Sequence, residues 1–440
     1  MNLIFSDMKQ KALQIFLAGV DNVLPNKLVN KVFSRKDFQL DKFNNIYLLA
    51  FGKASFLMAK EAENILGERI VDGVVITTYG NGGKLDKLKV IEAGHPIPDN
   101  NGLKATKLVL NIADKAQEND LVLCLISGGS SALLADYPTD ATINDLKKAS
   151  ELLINSGASI SEINCVRKHL SSVKGGQLAK AIYPASTISL ILSDVVGDKL
   201  DVIASGITAP DCTTFSDAIQ VLKKYNLIET FPSVFINHLR KGMAGIIDET
   251  AKPDDIVFNK VENLIIGSNK IALDGAAEKA KELGFETYLI TDRLEGDYKY
   301  VADFIFKTIN SKKPKDIVIK SDNKKPRCLL FGGESTVYVS GNGRGGRNQH
   351  LALYLAIKIN GAENVTILCA GTDGLEGQTD AAGAVIDGFT VSHSIKNNLQ
   401  PDDYLLNFDS YNFFDKLGDS VKIGNSGTNV MDLTVVLINE

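Results

Sequence analysis

Cysteine is scarce in this 440-residue chain, and its five copies, at positions 124, 165, 212, 328 and 369, form no C-x-x-C pair. An odd number of widely spaced cysteines argues against a disulfide framework and a cysteine zinc site, and it favours a reducing cytoplasm. Long apolar runs are missing as well. The longest uncharged stretch, 121–135, is interrupted by Ser-Gly-Gly-Ser-Ser and is shorter than the roughly 18 residues that span a membrane. We therefore expect a protein that does not cross a bilayer.

An excess of basic residues is also absent, because 48 lysines and arginines face 53 aspartates and glutamates, for a formal net charge of -5. A nucleic-acid-binding domain is normally basic, so the charge argues against a nucleic-acid partner. Near the N-terminus, apolar residues at 13, 16, 17 and 20 recur with helical spacing. This spacing predicts an amphipathic helix rather than a signal peptide, and hence a cytoplasmic protein.

The chain does contain a repeated alternation of apolar runs and helical patterns. The apolar runs end near Gly, Ser, Thr or Asp and lie at 46–51, 74–77, 121–126, 188–192, 264–266, 287–290, 328–331 and 366–369. Helical segments such as 103–116 and 272–283 lie between many of them. The alternation predicts an α/β fold in which helices cover both faces of buried parallel strands. The length of the chain suggests two or three domains at roughly 150 residues per domain.

Two segments break this pattern. The stretch 241–255, with its glycines, proline and acids, marks the expected domain boundary, which we place between residues 250 and 251. The lysine-rich stretch 311–327 is expected to be a solvated hairpin or linker. In a doubly wound fold, ligands bind beyond the carboxyl ends of the strands, so the residues that follow each strand are the functional candidates.

Two of these candidate segments suit an anion. Gly52-Lys53-Ala54-Ser55 follows the first strand but is not a Walker A loop, because Tyr47 replaces its first glycine and Ala54 follows the lysine. Lys53 either neutralises phosphate or is a solvated lysine at a helix start. Residues 127–131, Ser-Gly-Gly-Ser-Ser, either bind an anion through backbone N–H groups and hydroxyls or form a tight strand-to-helix turn.

Further charged groups follow in the first half of the chain. Arg167, Lys168, His169 and Lys174 form a cationic cluster that suits a carboxylate or phosphate. Asp194 and Asp198 follow another strand, where they either hold a hard cation and accept a proton or form a turn.

The densest region is 332–349. Glycines at 341, 343 and 346 satisfy G-x-G-x-x-G, which offers a dinucleotide site as an alternative. Arg344 and Arg347 favour a site for phosphate or carboxylate oxygens instead. Asp373 and Asp380 follow the last strong strand as metal ligands or turn formers.

Nine segments in order carry a family resemblance. They are AFGKAS at 50–55, EAGHPIPD at 92–99, LISGGSSALL at 125–134, NCVRKHLSSVKGG at 164–176, LSDVVGD at 192–198, SGITAPD at 205–211, GGEST at 332–336, GRGGRNQ at 343–349 and AGTDG at 370–374. Together they resemble the type-2 glycerate kinases, the family whose C-terminal part is called the MOFRL domain. The similarity runs over nearly the whole chain.

The resemblance implies phosphoryl transfer from ATP to the 2-hydroxyl of D-glycerate, with Mg²⁺, in a cleft between two α/β domains. These are a Rossmann-like domain at 1–250 and a second domain at 251–440 that contains the MOFRL region at about 327–435. Lys53, Arg347 and Asp194 are the predicted catalytic residues, and Glu334 and Asp373 the predicted metal ligands. The predicted ATP and substrate contacts are Ser127, Gly128, Gly129, Ser130, Arg167, Lys168, Lys174, Arg344 and Asn348. The individual roles of Asp194, Asp198, Glu334, Asp373 and Asp380 stay open.

The chain departs from the family pattern at Ser130, Ile207, His350 and Met431. Ser130 still donates hydrogen bonds, so we expect activity to survive, whereas His350 and Met431 bear on fine specificity. One alternative is an NAD(P)H-dependent hydroxypyruvate reductase, a name that some relatives carry, which the arginines disfavour. Another is a non-catalytic sugar-acid-binding protein. The chain has no G-x-S-x-G motif, which would have indicated a serine nucleophile instead. The nucleotide-binding domain, the exact hydroxy acid and the oligomeric state, with a homo-oligomer as one alternative, stay open.

Overall fold

The computed structural model describes residues 6–311 and 325–439, so most of the lysine-rich stretch predicted at 311–327 lies outside the described residues. The chain forms two compact units. One, which we call the parallel-sheet unit, comprises Pro25–Ser193 and Asp198–Ile266. The other, the mixed-sheet unit, comprises Met1–Leu24, Asp194–Gly197 and Gly267–Glu440. Across 6–311 and 325–439, no helix has the length and apolar character needed to cross a membrane.

The secondary structure alternates along the chain. The strands are β1 (Ile46–Phe51), β2 (Ile70–Thr78), β3 (Lys89–Ala93), β4 (Leu121–Ile126), β5 (Ser186–Leu192), β6 (Val261–Gly267), β7 (Glu286–Asp297), β8 (Arg327–Thr336), β9 (Val365–Gly371), β10 (Gly383–Asp387), β11 (Ser420–Val421) and β12 (Asp432–Ile438). The helices are α1 (Asp7–Asp21), α2 (Pro25–Phe33), α3 (Ser55–Leu66), α4 (Asn100–Ala113), α5 (Ser130–Leu133), α6 (Ile143–Asn155), α7 (Ile160–Lys168), α8 (Gln177–Ile182), α9 (Phe215–Lys224), α10 (Ser233–Met243), α11 (Asn269–Glu282), α12 (Tyr298–Asn310), α13 (Arg347–Lys358), α14 (Thr390–Lys396), α15 (Pro401–Leu406) and α16 (Ser410–Leu417). Short 3-10 turns lie at Gly67–Arg69, Ile203–Ser205 and Ile256–Lys260.

The parallel-sheet unit has the strand order β3-β2-β1-β4-β5-β6. The pairs β2–β3, β1–β2, β1–β4 and β4–β5 are all parallel. The six residues of β4 are all buried, as expected for a strand covered on both faces. The order reverses between β1 and β4, and such a reversal is where doubly wound sheets bind ligands. The predicted Rossmann-like α/β fold is confirmed in this unit.

The mixed-sheet unit has the order β11-β10-β9-β12-β8-β7. Only β7 and β8 pair in parallel, while β12 is antiparallel to both β8 and β9, and β10 is antiparallel to β9 and β11. The prediction of parallel strands is confirmed for the runs at 287–290 and 328–331, which pair as β7 and β8, whereas the run at 366–369 lies in β9, whose neighbours β10 and β12 are both antiparallel to it. β9 and β12 are buried on both faces, so their uninterrupted apolar runs carry no information on direction.

The predicted N-terminal helix is confirmed as α1, and it packs on α11 in the mixed-sheet unit. The contact is close because a methyl group at Gly19 would lie 2.9 Å from the Ala272 carbonyl oxygen. Elsewhere on α1, buried Lys9 forms an ion pair with Asp419, just before β11, at 2.7 Å. The described residues 6–24 therefore group with the residues from Gly267 onward, and the domain division between residues 250 and 251 stays a prediction.

Candidate functional site

The loops that follow β1 and β4 are joined to each other at the switch point of the parallel sheet. The Lys53 N–H donates to the Gly128 carbonyl oxygen at 2.9 Å, and the Ala54 N–H donates to Ser127 Oγ at 3.1 Å. Gly52 has a φ of 116°, and a methyl group there would lie 2.2 Å from Ser127 Oγ, so only glycine fits. The structure thus brings Lys53 and residues 127–130 together.

The side chain of Lys53 is available at this edge. It is exposed, and among residues 6–311 and 325–439 no carboxylate forms an ion pair with it. A methyl group at Gly129 would lie 3.0 Å from His95 Cδ2 and 3.5 Å from Lys53 Cγ, so the two side chains flank that glycine. Burial and the nearby Lys53 charge lower the pKa of His95, which keeps the imidazole neutral. Lys53 and His95 together therefore carry a net positive charge.

The two serines of this loop hold its shape. Ser127 Oγ donates to the Phe51 carbonyl oxygen at 3.3 Å, and Ser130 Oγ donates to the Ser127 carbonyl oxygen at 2.6 Å. Their hydroxyl protons are thus committed to the protein. In the part of the chain that the structure describes, the backbone N–H groups of Gly128 and Gly129 meet no acceptor. The groups that this turn leaves free to donate hydrogen bonds are therefore the backbone N–H groups of Gly128 and Gly129 and the Lys53 ammonium.

A cavity of about 340 Å³ opens beside the same loop. Arg167 and Lys174, both predicted site residues, line it together with Asp136. Lys174 Nζ donates to the Leu134 carbonyl oxygen at 2.7 Å and to Asp136 Oδ1 at 3.1 Å, so its charge is compensated. Arg167 is half-buried and pairs with no carboxylate among the described residues. Burial lowers the pKa of the Arg167 guanidinium.

Lys168 lies away from this cavity. Its buried ammonium pairs with Asp211 at 3.3 Å, and the neighbouring His169 bonds Glu249 at 3.1 Å through Nε2. The cationic cluster predicted from the sequence therefore divides into cavity residues and a buried ion-pair network.

Arg347 is the charged centre of the mixed-sheet unit. Its Nε and Nη2 donate to the Asp432 carboxylate at 2.6 and 2.9 Å, and its Nη1 donates to Glu334 Oε1 at 2.5 Å. Burial alone would lower the pKa of Arg347, but the bonds to Asp432 outweigh it and the net shift is upward. The arginine, Glu334 and Asp432 line a second cavity of about 490 Å³, together with Asn348 and Asp373.

The glycines of the G-x-G-x-x-G match contact protein rather than leaving room for a pyrophosphate. A methyl group at Gly341 would lie 2.4 Å from the Asn407 carbonyl oxygen, and one at Gly346 would lie 2.5 Å from the Glu376 carboxyl. The Glu376 carboxylate accepts the Asn348 and Gln349 N–H groups at 2.8 Å each, so it caps α13. The helix start where a dinucleotide would bind is thus filled by a side chain.

Of two further predicted residues in the mixed-sheet unit, one lies near Arg347 and the other does not. Asp373 lies near Arg347: its Oδ1 would be 3.0 Å, and Asp432 Oδ1 3.4 Å, from a methyl group at Gly371. Arg344 is exposed, stacks on Tyr411 and donates to the Gln378 carbonyl oxygen at 3.2 Å, so it does not join Arg347 in one fork.

The acids predicted as turn formers or ligands are placed as follows. Asp380 pairs with Lys422 at 3.1 Å. Asp194 is half-buried two residues after β5, in the segment Asp194–Gly197 that groups with the mixed-sheet unit. Asp198 has a φ of 54°, which is typical of a turn.

Comparison with known proteins assigns the chain. The model of a domain of unknown function, DUF4147, matches residues 11–240, and the MOFRL family model matches residues 327–432. A Thermotoga maritima protein named D-glycerate 2-kinase is 43% identical over 98% of each chain. The chain belongs to the glycerate kinase family. A glycerate 2-kinase of Pyrococcus horikoshii is 41% identical over 92% of this chain and 89% of its own. The Thermotoga maritima glycerate kinase structure superposes with a TM-score of 0.87, at 42% identity, over 98% of this chain and 99% of that one.

Four residues around the candidate sites of this glycerate kinase family member were missed by the sequence reasoning. They are His95, Asp136, Glu376 and Asp432. His95 lies inside the quoted EAGHPIPD segment, so it could have been found there. Asp432 begins β12, a strand that was not predicted, and the long-range pairing of Asp136 and Glu376 has no signal in local spacing.

Proposed function

We propose that the protein is a D-glycerate 2-kinase, which transfers the γ-phosphoryl group of ATP to the 2-hydroxyl of D-glycerate to give 2-phospho-D-glycerate and ADP. The observation that carries the proposal is the 43% identity, over 98% of both chains, to a protein named D-glycerate 2-kinase. The identity extends over both units, so both candidate sites fall within it. Small-molecule partners, a cytoplasmic location and a homo-oligomer remain predictions from the sequence.

In this proposal, Lys53 and the Gly128 and Gly129 N–H groups receive the phosphates. A lysine acts on phosphate as a compact point charge, and Lys53 has no carboxylate partner among the described residues to compete for it. As the phosphoryl group leaves, charge builds on the β,γ-bridging oxygen. A cation that follows this charge stabilises the transition state more than the ground state.

The oxygen of the 2-hydroxyl attacks the γ-phosphorus, and the bond from phosphorus to the bridging oxygen breaks. The hydroxyl proton passes to a carboxylate, for which Asp194 is our proposal. Arg347 either clamps the carboxylate of glycerate or stabilises the transferring group. Its guanidinium has N–H groups beyond those that bind Asp432 and Glu334, so it remains a donor.

The carboxylates near Arg347 fit Mg²⁺ as partial ligands. Asp373 Oδ1 and Asp432 Oδ1 approach the space beside Gly371, which Asn348 faces with its Nδ2 while its Oδ1 is buried without a hydrogen-bond partner among the described residues. Glu334 lines the same cavity as these two acids. No group of three or more His, Cys, Asp or Glu side chains forms a complete metal site within 6–311 and 325–439. Mg²⁺ usually takes one or two protein carboxylates together with substrate phosphates. When bound, Mg²⁺ neutralises phosphate charge. We propose Glu334 and Asp373 as its protein ligands.

The reductase alternative has little support at the one segment that suggested it. The G-x-G-x-x-G glycines pack on the protein, and Glu376 occupies the start of α13. A non-catalytic sugar-acid-binding protein would need the same anion-binding residues but would not turn over ATP.

One experiment separates the three functions. ADP release is measured by a coupled assay with D-glycerate and Mg·ATP, beside NADH oxidation with hydroxypyruvate. We expect glycerate-dependent ADP release and no NADH oxidation. NADH oxidation without ADP would establish the reductase, and tight D-glycerate binding without either reaction would establish the binding protein.

A further inference from the structure

The cavity beside the loop at 127–131 has an apolar wall made by two helices. Leu146, Ala149, Ser150, Leu153 and Ile154 line it from α6, with the spacing of a single helix face. Ile160 and Ile163 line it from α7. Its volume of about 340 Å³ lies at the lower end of the range, about 300–1,000 Å³, of small-molecule pockets.

The wall continues out to the surface as exposed apolar residues. Ile154 is 60% exposed and Ile160 is 57% exposed, and both line the cavity. Large apolar side chains gathered at the mouth of a cavity indicate that a ligand with apolar faces covers them.

The cavity is continuous with the proposed phosphate site. Gly129 and Ser131 of the loop line it, and so does His95, which flanks Gly129 beside Lys53. A ligand whose phosphates lie on this loop therefore has the cavity within reach of its other end.

The charge of the cavity suits an anion that carries an apolar group. Asp136 and Lys174 compensate each other, and Asp136 also accepts the Ser171 hydroxyl at 2.8 Å. Arg167 remains as the charge without a carboxylate partner among the described residues. A guanidinium both binds phosphate oxygens and stacks on aromatic faces.

D-Glycerate fits this cavity poorly, because every carbon of glycerate carries an oxygen, and the walls on α6 and α7 are mostly aliphatic. Burial of those oxygens against aliphatic walls would leave them without hydrogen bonds. A flat heteroaromatic base loses no such bonds on its two faces.

We infer that this cavity holds the adenine base of the nucleotide, with Arg167 beside its sugar-phosphate part, so that the parallel-sheet unit is the nucleotide-binding unit. The inference rests on the proposed use of ATP and extends it by assigning the base to α6 and α7.

The chain contains no tryptophan, so a single introduced tryptophan is a clean fluorescent reporter. Ile154→Trp places it on the cavity rim at an exposed position. Glu151→Trp, exposed on α6 but outside the cavity lining, is the matched control. Both variants are titrated with ADP, with inorganic tripolyphosphate and with D-glycerate, and ADP affinity is measured in parallel by calorimetry.

We expect ADP to change the fluorescence of Ile154→Trp at the concentrations at which calorimetry shows binding, and to leave Glu151→Trp unchanged. Tripolyphosphate and D-glycerate should leave both unchanged. Calorimetric ADP binding without a fluorescence change would overturn the assignment, as would a change with D-glycerate alone. Neither of those results touches the kinase proposal, which fails only if the wild-type protein shows no glycerate-dependent ADP release.

A second variant tests the same assignment without fluorescence. Ile154→Asp puts a negative charge at the rim and should raise the ADP dissociation constant at least about tenfold, while Glu151→Asp leaves it unchanged. An unchanged ADP affinity in Ile154→Asp, with a weakened affinity for D-glycerate, would assign the cavity to the hydroxy acid instead.

Discussion

The molecule has two glycine-rich loops at the edge of a sheet, and they differ in what approaches their glycines. At 127–131 the neighbours of Gly129 are the side chains of Lys53 and His95, and the backbone N–H groups of Gly128 and Gly129 meet no acceptor among the described residues. At 341–346 the neighbours are the backbone of Asn407 and the carboxyl of Glu376.

Similar composition therefore serves two purposes. The first loop leaves donors for an anion, whereas the second uses its glycines to bring protein segments together, and its helix start is occupied by the Glu376 carboxyl group. The two cations differ in the same way: Lys53 lacks a carboxylate partner in the described chain, and Arg347 is held by Asp432 and Glu334. A substitution at the first loop should thus change chemistry, and one at the second should change stability as well.

The largest effect is expected from Lys53→Ala. The lysine is exposed and adds little to the core, so the variant should keep the wild-type melting temperature. Its kcat should fall by on the order of 10²-fold or more, because charge stabilisation in the transition state is lost. Lys53→Arg should recover little, since the larger fork displaces the phosphate. Lys60→Ala is the control, because Lys60 is also exposed but lies on α3, and this variant should keep full activity.

Arg347→Lys should lower both activity and stability. One ammonium cannot reproduce the paired bonds to Asp432 and the bond to Glu334, although it keeps the charge. We expect a loss in kcat/KM of at least about tenfold, together with a lower melting temperature, because the Asp432 side chain is only 8% exposed. Full activity in the lysine variant would show that net charge suffices at this position.

A pair of glycine variants tests the contrast between the loops. Gly129→Ala forces alanine to a φ of 88° and places its methyl group 3.0 Å from His95, so it should lower kcat more than it lowers stability. Gly346→Ala places a methyl group 2.5 Å from the Glu376 carboxyl and should lower the free energy of unfolding by about 1–3 kcal/mol. Urea unfolding measures the loss of stability in each variant, and steady-state kinetics measures the loss in kcat. If the two variants lose the same amount in both assays, the proposed difference between the two loops is wrong.

The smallest expected effect is the change in the free energy of unfolding with pH. Burial raises the pKa of Glu376 to about 8, although two backbone N–H groups favour its charged form. Between pH 6.5 and 8 the folded protein then retains a proton that the unfolded chain has lost. Since the unfolded state binds fewer protons there, the free energy of unfolding should fall as pH rises. Glu376→Gln should flatten that decline in urea unfolding series. The same slope in the wild type and the variant would assign the decline to other groups.

Much of the parallel-sheet unit could be predicted from sequence, because its strands are short apolar runs followed by Gly52 and Ser127, which begin the loops of the candidate site. Parallel strands at a switch point follow from that alternation. The insertion of an antiparallel β12 between β8 and β9 could not be predicted, since β12 is distant in sequence from both strands and a doubly buried strand shows no alternation.

The candidate site shows the same limit. Lys53 and the loop at 127–131 follow their strands directly, so local sequence was enough to find them. The pairing of Arg347 with Asp432 spans 85 positions, and the capping of α13 by Glu376 depends on tertiary contacts. The spacing of the glycines at 341–346 therefore offered a dinucleotide loop as an alternative, whereas in the structure these glycines pack against other protein segments.

The most direct test of the account is the product made by the wild-type protein, Lys53→Ala and Lys60→Ala from Mg·ATP and D-glycerate, resolved by phosphorus NMR. The account predicts 2-phosphoglycerate in equal amount to ADP with the wild type and Lys60→Ala, at closely similar rates, and almost none with folded Lys53→Ala. Phosphorylation at the 3-hydroxyl, or product from Lys53→Ala at the wild-type rate, would contradict it.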